Sequence, residues 1–160
     1  MPDPLRTPVV DQLKYGRIEW ERRFLLAALP DSLDVQGISI HDRYLTGTRL
    51  RLRQMRYPDG GEVFKLARKL PARAGGGVMG NLYLSEAEHA LLAPLPAGDV
   101  HKVRRYQGDW AVDVFEHALE GLVLAECETP SAEALAQLQP PFDVLREVTE
   151  DPRYSGGTLS

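Results

Sequence analysis

Sulfur is scarce in this chain of 160 residues, which has a single cysteine, Cys127. One thiol closes no internal disulfide and builds no cysteine-rich zinc site, which suits a reducing compartment. Such a lone thiol reads as a buried small hydrophobe. Long apolar runs are missing as well, and nothing approaches the ~20 residues of a membrane-spanning helix. Residues 1–16 mix prolines with charges and lack the apolar core of a secretory signal, so we expect a loose leader on a cytoplasmic protein. Positive charge is not in excess: 19 Lys and Arg against 23 Asp and Glu leave a net charge of −4. Nucleic acid is therefore a disfavoured partner, and any anion site has to come from local clustering of basic side chains. The glycines Gly75, Gly76 and Gly77 are not followed by the Gly-Lys-Ser/Thr of a phosphate loop and read as a flexible connection. His41, His89, His101 and His117 show no metal-ligand spacing and are assigned to surface or strand-edge positions.

The chain does contain short runs of β-forming residues punctuated by Gly, Pro and Asp, in a length that suits one domain spanning residues 1–160. Strands are predicted at about 17–26, 38–45, 48–57, 62–70, 78–84, 100–107, 110–116 and 121–128. Pro58-Asp59-Gly60-Gly61 reads as a hairpin turn, because glycine supplies the positive φ that such turns need. Ser85 with Glu88 fits a capping box that opens a helix through Ala87, Ala90 and Leu91, ended by Pro94. Thr129 and Pro130 start a second predicted helix, running to about Gln139. Residues Asp151 to Ser160 form a polar tail with contacts through Arg153 and Tyr154.

Side chains on a strand alternate between two faces, so residues two apart share a surface. In the first run Glu19, Glu21 and Arg23 share one face, opposite Ile18, Trp20, Arg22 and Phe24. In Thr48-Arg49-Leu50-Arg51-Leu52-Arg53 the three arginines are separated completely from the two leucines. Lys65, Ala67 and Lys69 share a face, as do Lys102 and Arg104, and Glu126 and Glu128 lie opposite Ala125 and Cys127. Taken singly, each pattern describes a solvated sheet face. Runs of one sign repel unless an anion or carboxylates face them, and closing the strands into a barrel would turn these faces inward. Arginine forks and lysine ammonium groups suit phosphate oxygens, and paired glutamates are hard ligands for Mg²⁺ or Mn²⁺. The two together suit phosphoryl transfer.

The residues that carry this pattern resemble the CYTH superfamily, the triphosphate tunnel metalloenzymes. The Glu-x-Glu-x-Lys signature of that family is matched by Glu19-Trp20-Glu21-Arg22-Arg23, followed by Phe24-Leu25-Leu26. Further matches are Asp42-Arg43-Tyr44-Leu45, the TRLRLR run, Lys69, KVRRY at 102–106, VDVFE at 112–116, LAECE at 124–128 and EVTEDPRY at 147–154. The resemblance implies a mainly β (α+β) fold: a closed eight-stranded antiparallel β-barrel tunnel with a few short outer helices. It implies metal ligation by Glu19, Glu21, Glu126 and Glu128, with Asp113 contributing, and phosphate binding by Arg49, Arg51, Arg53, Lys69, Lys102, Arg104 and Arg153. Glu21, Arg23 and Tyr44 would serve catalysis. The implied activity is metal-dependent hydrolysis of inorganic triphosphate or a related compound, with Mg²⁺ or Mn²⁺ as cofactor.

The chain departs from the family pattern in three places. Arg23 replaces the signature lysine and, staying protonated, is no general base. Met79, Asn81 and Tyr83 leave the fifth run uncharged, and Gly156 stands where the tail often carries asparagine. A noncatalytic polyphosphate- or nucleotide-binding module is the alternative these departures suggest, with thiamine triphosphatase or adenylyl cyclase activity behind it. A homodimer is left open beside a monomer.

Overall fold

Alternating polar and apolar residues bounded by turn residues make most of the regular structure of this chain β. The computed structural model describes residues 14–33, 36–70 and 75–160; residues 1–13 of the expected leader lie outside them. The strands are β1 (Arg17–Leu26), β2 (Ile38–Leu45), β3 (Leu50–Arg56), β4 (Glu62–Lys69), β5 (Gly76–Leu84), β6 (Ala97–Gln107), β7 (Trp110–Phe115), β8 (Val123–Thr129) and the two-residue β9 (Arg146–Glu147). Their antiparallel order is β5-β4-β3-β2-β6-β7-β8-β1-β9, and a further β5–β1 pairing closes strands β1 to β8 into a ring. This is the expected eight-stranded barrel.

β1 is the seam of the barrel. Its first residues pair with β5, as in Ile18 with Val78, while Trp20 to Leu26 pair with β8 along the other edge. Where β5 leaves β1, the edge is taken up by Gly75, whose carbonyl accepts from Glu21 N at 3.0 Å. It is then taken up by the C-terminal segment, with Val148 N donating to Arg23 O at 2.8 Å. The glycine triplet expected as a loop is therefore partly strand: Gly76 and Gly77 belong to β5. Glycine is required there because a Cβ on Gly76 would stand 2.4 Å from the Trp20 ring, and because Gly75 has φ +82°.

The Tyr57–Gly61 turn forms as expected, with Tyr57 N donating to Gly61 O at 2.8 Å and Gly60 at φ +88°. Helix α1 (Glu86–Leu92) opens on the predicted Ser85/Glu88 capping box. Helix α2 is shorter than expected, Ala132–Ala136. Its cap is Ser131 rather than Thr129, and it stops one residue after Leu135 is seated in the core. The chain ends in a 3₁₀ turn (Pro152–Tyr154) and α3 (Gly156–Leu159).

Two apolar clusters hold the layers together. Outside the barrel, Phe24, Leu26, Trp110, Val112, Val123, Ala125 and Cys127 are covered by Leu33, Leu138, Phe142 and Val144. The second cluster, Val100, Phe115, Leu124 and Val148, is joined by Tyr154 and Leu159 of the tail. Val100, Phe115 and Leu124 share their strand faces with Lys102, Asp113 and Glu126, so the barrel interior grades from apolar to charged along its length.

Candidate active site

The charged strand faces turn inward onto a cavity of about 1100 Å³. Its lining includes Glu19, Glu21, Glu126 and Glu128 together with Arg49, Arg51, Arg53, Lys69, Lys102 and Arg104, residues that the sequence analysis had grouped. The ring order sets β8 and β1, which carry the four glutamates, diametrically across from β3 and β2. An acidic wall thus faces a basic one across the interior.

The basic wall is held in place from behind. Asp42 is fully buried on β2 and accepts both forks of Arg53, Nε to Oδ1 at 2.6 Å and Nη2 to Oδ2 at 2.7 Å. Register dictates this contact, since Asp42 lies directly opposite Arg53. Asp113 on β7 does the same for β6. It accepts from Lys102 Nζ at 2.6 Å and from Arg104 Nε and Nη2 at 2.7 Å each. Burial alone would raise both carboxyls, but Arg53 and Arg51 around Asp42, and Lys102 and Arg104 around Asp113, hold them below the usual carboxylate range. Both therefore stay charged and fix the cations that surround them. Asp113, expected to contribute to a metal site, has its oxygens occupied by these donors and lies behind the cavity lining.

On the acidic wall Arg23 lies among the glutamates. It donates from Nη2 to Glu21 Oε1 at 2.9 Å, from Nε to Glu126 Oε1 at 2.8 Å and from Nη1 to the Tyr154 carbonyl at 2.7 Å. Burial disfavours its charge, but Glu126 and Glu21 more than offset this and keep Arg23 firmly protonated. Lys69 reaches Glu19 at 3.0 Å, and Arg17 pairs with Glu128. Glu126 is held well below its ordinary value: burial pushes it up, but Arg23, Lys102 and Arg104 pull it down further. Glu21 goes the other way, pushed up to about 7 by burial and by the neighbouring Glu126 charge.

Tyr44 lines the cavity beside the tail, and its hydroxyl is pushed up to about 12 by burial and by Asp42. It is thus a neutral hydrogen-bonding group near pH 7. Gly156 is what lets the tail approach, because a Cβ there would sit 1.8 Å from Tyr44 Oη. Met79 and Asn81 line the cavity as the uncharged stretch expected of β5. Arg153 is not brought to this lining: its exposed guanidinium pairs with Asp151 at 2.7 Å. Arg22 faces outward and makes a two-pronged pair with Glu147 at 2.8 Å. Sequence reasoning left out Arg17 and placed Lys65 on the inward face without giving it a role; both also line the cavity. It also left out Asp42 as an anchor, although the alternation that groups Asp42 with Tyr44 on β2 was there to find it.

None of the protein-family models compared with the sequence matches it. The inorganic triphosphatase of Nitrosomonas europaea is 31% identical over 155 residues, covering 89% of this chain and 96% of that protein. The chain belongs to the CYTH-type triphosphatases. A crystal structure of an inorganic triphosphatase aligns with a TM-score of 0.57 at 27% identity, over 88% of this chain and 93% of that one. Membership of the CYTH-type triphosphatases accounts for the ordered set of strand motifs, and the seam at β1 is where their Glu-x-Glu signature lies. No helix among the described residues is long and apolar enough to cross a membrane.

Proposed function

We propose that the protein hydrolyses inorganic triphosphate within the barrel, in the cytoplasm and with the help of Mg²⁺ or Mn²⁺. The observation that carries this reading is the enclosure of two opposed walls, one of carboxylates and one of guanidinium and ammonium groups, around a single cavity. Arg51 adds to it: its buried Nε makes no hydrogen bond among the described residues, and Asp42 Oδ1 is 3.9 Å away. A donor left in that state suits an anionic ligand, since burying it unpaired costs about 1–3 kcal/mol.

A divalent cation fits the donor set. Glu19, Glu21, Glu126 and Glu128 offer hard carboxylate oxygens, and the Glu21 carboxyl is raised by burial and next by the neighbouring Glu126 charge, both of which a bound cation would counter. When bound, such an ion neutralises charge on the phosphate oxygens and polarises the phosphoryl group under attack. Phosphoryl transfer demands mainly positioning and electrostatic stabilisation, which the chain supplies through its anchored cations. Arg49, Arg51, Arg53, Lys69, Lys102 and Arg104 hold the phosphate chain. Asp42 and Asp113 fix the positions of Arg53, Lys102 and Arg104 before substrate arrives. Arg23 orients Glu21 and Glu126 and adds positive charge without exchanging a proton, and Tyr44 contributes a neutral hydroxyl.

Phosphate release from triphosphate, pyrophosphate, ATP and thiamine triphosphate, with Mg²⁺, Mn²⁺ or chelator, tests the reading. Turnover selective for inorganic triphosphate, abolished by chelator and by the double substitution Glu19→Gln/Glu21→Gln, is expected. Metal-assisted triphosphate binding without turnover would replace the enzyme by a receptor.

A further inference from the structure

On the outside of the barrel, away from the glutamate walls, the fold assembles a second set of metal-ligating groups. His41 on β2 and His101 on β6 are direct cross-strand partners. Their rings stack with centroids 4.1 Å apart and planes 12° from parallel. Asp99, two residues before His101 and on the same face, has Oδ1 2.6 Å from His41 Nε2. The ligand atoms of His41, Asp99 and His101 all lie within 4.8 Å of one another. His117 flanks them with its ring edge-on to His101 at 4.5 Å, and it takes the left-handed backbone conformation, φ +56°, uncommon outside glycine. The alternation that turns Asp42 and Lys102 inward turns these three outward, and the His41 and Asp99 side chains are 32% and 44% exposed. An ion in solution therefore has access to them.

We infer that His41, Asp99 and His101 form a binding site for a borderline transition-metal cation of the Zn²⁺ class on the outer face of the barrel. Two imidazoles and one carboxylate are a donor set suited to such an ion and poorly suited to Mg²⁺, which favours all-oxygen octahedral coordination. Metal–ligand bonds of about 2.0–2.2 Å place tetrahedral donors roughly 3.4 Å apart, so the wider spacings close in while His41 Nε2 and Asp99 Oδ1, now 2.6 Å apart, separate as His41 exchanges this hydrogen bond for the ion. Arg43 forms an ion pair with Asp99, Nε to Oδ1 at 3.3 Å, and its guanidinium also donates to the Ala93 carbonyl and, at 3.4 Å, to that of Leu95. In the proposed site Asp99 keeps this pair through Oδ1 and ligates through Oδ2. Bound there, the cation ties β2 to β6 on the back of the wall that carries Asp42 and Lys102.

The test is a titration of the intact protein with Zn²⁺ in excess Mg²⁺, which occupies hard-oxygen sites, followed by calorimetry and by the imidazole ring resonances. One Zn²⁺ per chain is expected, with the His41 and His101 resonances shifting together while those of His89 stay in place. His41→Ala and His101→Ala each weaken Zn²⁺ binding by roughly tenfold or more and leave Mg²⁺-supported phosphate release unchanged. Circular dichroism confirms that each variant is folded, with His41→Asn and His101→Gln as substitutes for one that is not. Zn²⁺ uptake of undiminished affinity in folded variants, movement of the His89 resonances alone, or no uptake by the wild-type chain would each overturn the site.

Discussion

Glu21→Gln separates what the acidic wall does for binding from what it costs the fold. In the metal-free chain burial and Glu126 push the Glu21 carboxyl up to about 7, from 4.5 for a free side chain. A carboxyl with a raised folded pKa binds its proton more tightly when folded, so its burden on stability is absent at low pH and grows as pH rises from 4.5 through 7. At about 1.36 kcal/mol per unit, the full burden above pH 7 is about 3 kcal/mol. Glutamine keeps the shape and can still accept from Arg23 while never ionising. Urea unfolding with chelator present should find Glu21→Gln more stable than wild type by up to about 3 kcal/mol at pH 8, with the gap closing as pH falls to about 4.5. The same variant should lose metal-dependent phosphate release. Equal or lower stability at pH 8 would refute the claim that burial and the Glu126 charge hold this carboxylate above its ordinary range.

Asp113→Asn removes the negative charge shared by Lys102 and Arg104 and turns one of its two acceptor oxygens into a donor, which should cost about 3–5 kcal/mol in the same unfolding assay. Wild type should lose the stability contributed by Asp113 and Asp42 as pH falls below about 4, the ordinary aspartate range, because their folded pKa values are lowered. The Asp113→Asn variant should lose less over that interval. Gly156→Ala drives a methyl into Tyr44 Oη and should lower stability by about 1–3 kcal/mol. Adding Tyr44→Phe should return part of that, a coupling that a double-mutant cycle measures. Tyr44→Phe alone should leave the pH profile of phosphate release unshifted between about pH 6 and 9, since the hydroxyl titrates near 12.

Barrel and walls were legible because strand alternation is a local signal: three arginines separated from two leucines between Arg49 and Arg53 need no tertiary information to be placed on one face. Glu19 and Glu21 were grouped with Glu126 and Glu128 by the same rule and by family resemblance. What escaped depends on pairing across the sheet. Gly76 and Gly77 look like a loop until Trp20 is laid over Gly76, and the reach of α2 is limited by the burial of Leu135. Asp113 reads as one more carboxylate until its register opposite Arg104 shows which cations it serves. Arg153 sits among polar tail residues where only the local turn decides that its partner is Asp151. The histidines have no ligand spacing in sequence because their proximity comes from the β2–β6 pairing, which joins segments about sixty residues apart.

The seam at β1 also governs how the molecule is assembled in time. Arg23 and Glu126 are 103 residues apart in the chain, so their pairing closes one of the longest loops in the fold. Long-range pairings of this kind carry the highest entropic cost and slow the search. The hairpins that carry the basic residues, β2 with β3 and β3 with β4, are local and favour early formation. Docking of β1 onto β8 is expected last, bringing glutamate beside glutamate with Arg23 between them. Added salt, or loss of the Arg23 guanidinium, should therefore act on the slow phase of refolding, visible in stopped-flow traces, and leave the fast formation of the hairpins untouched.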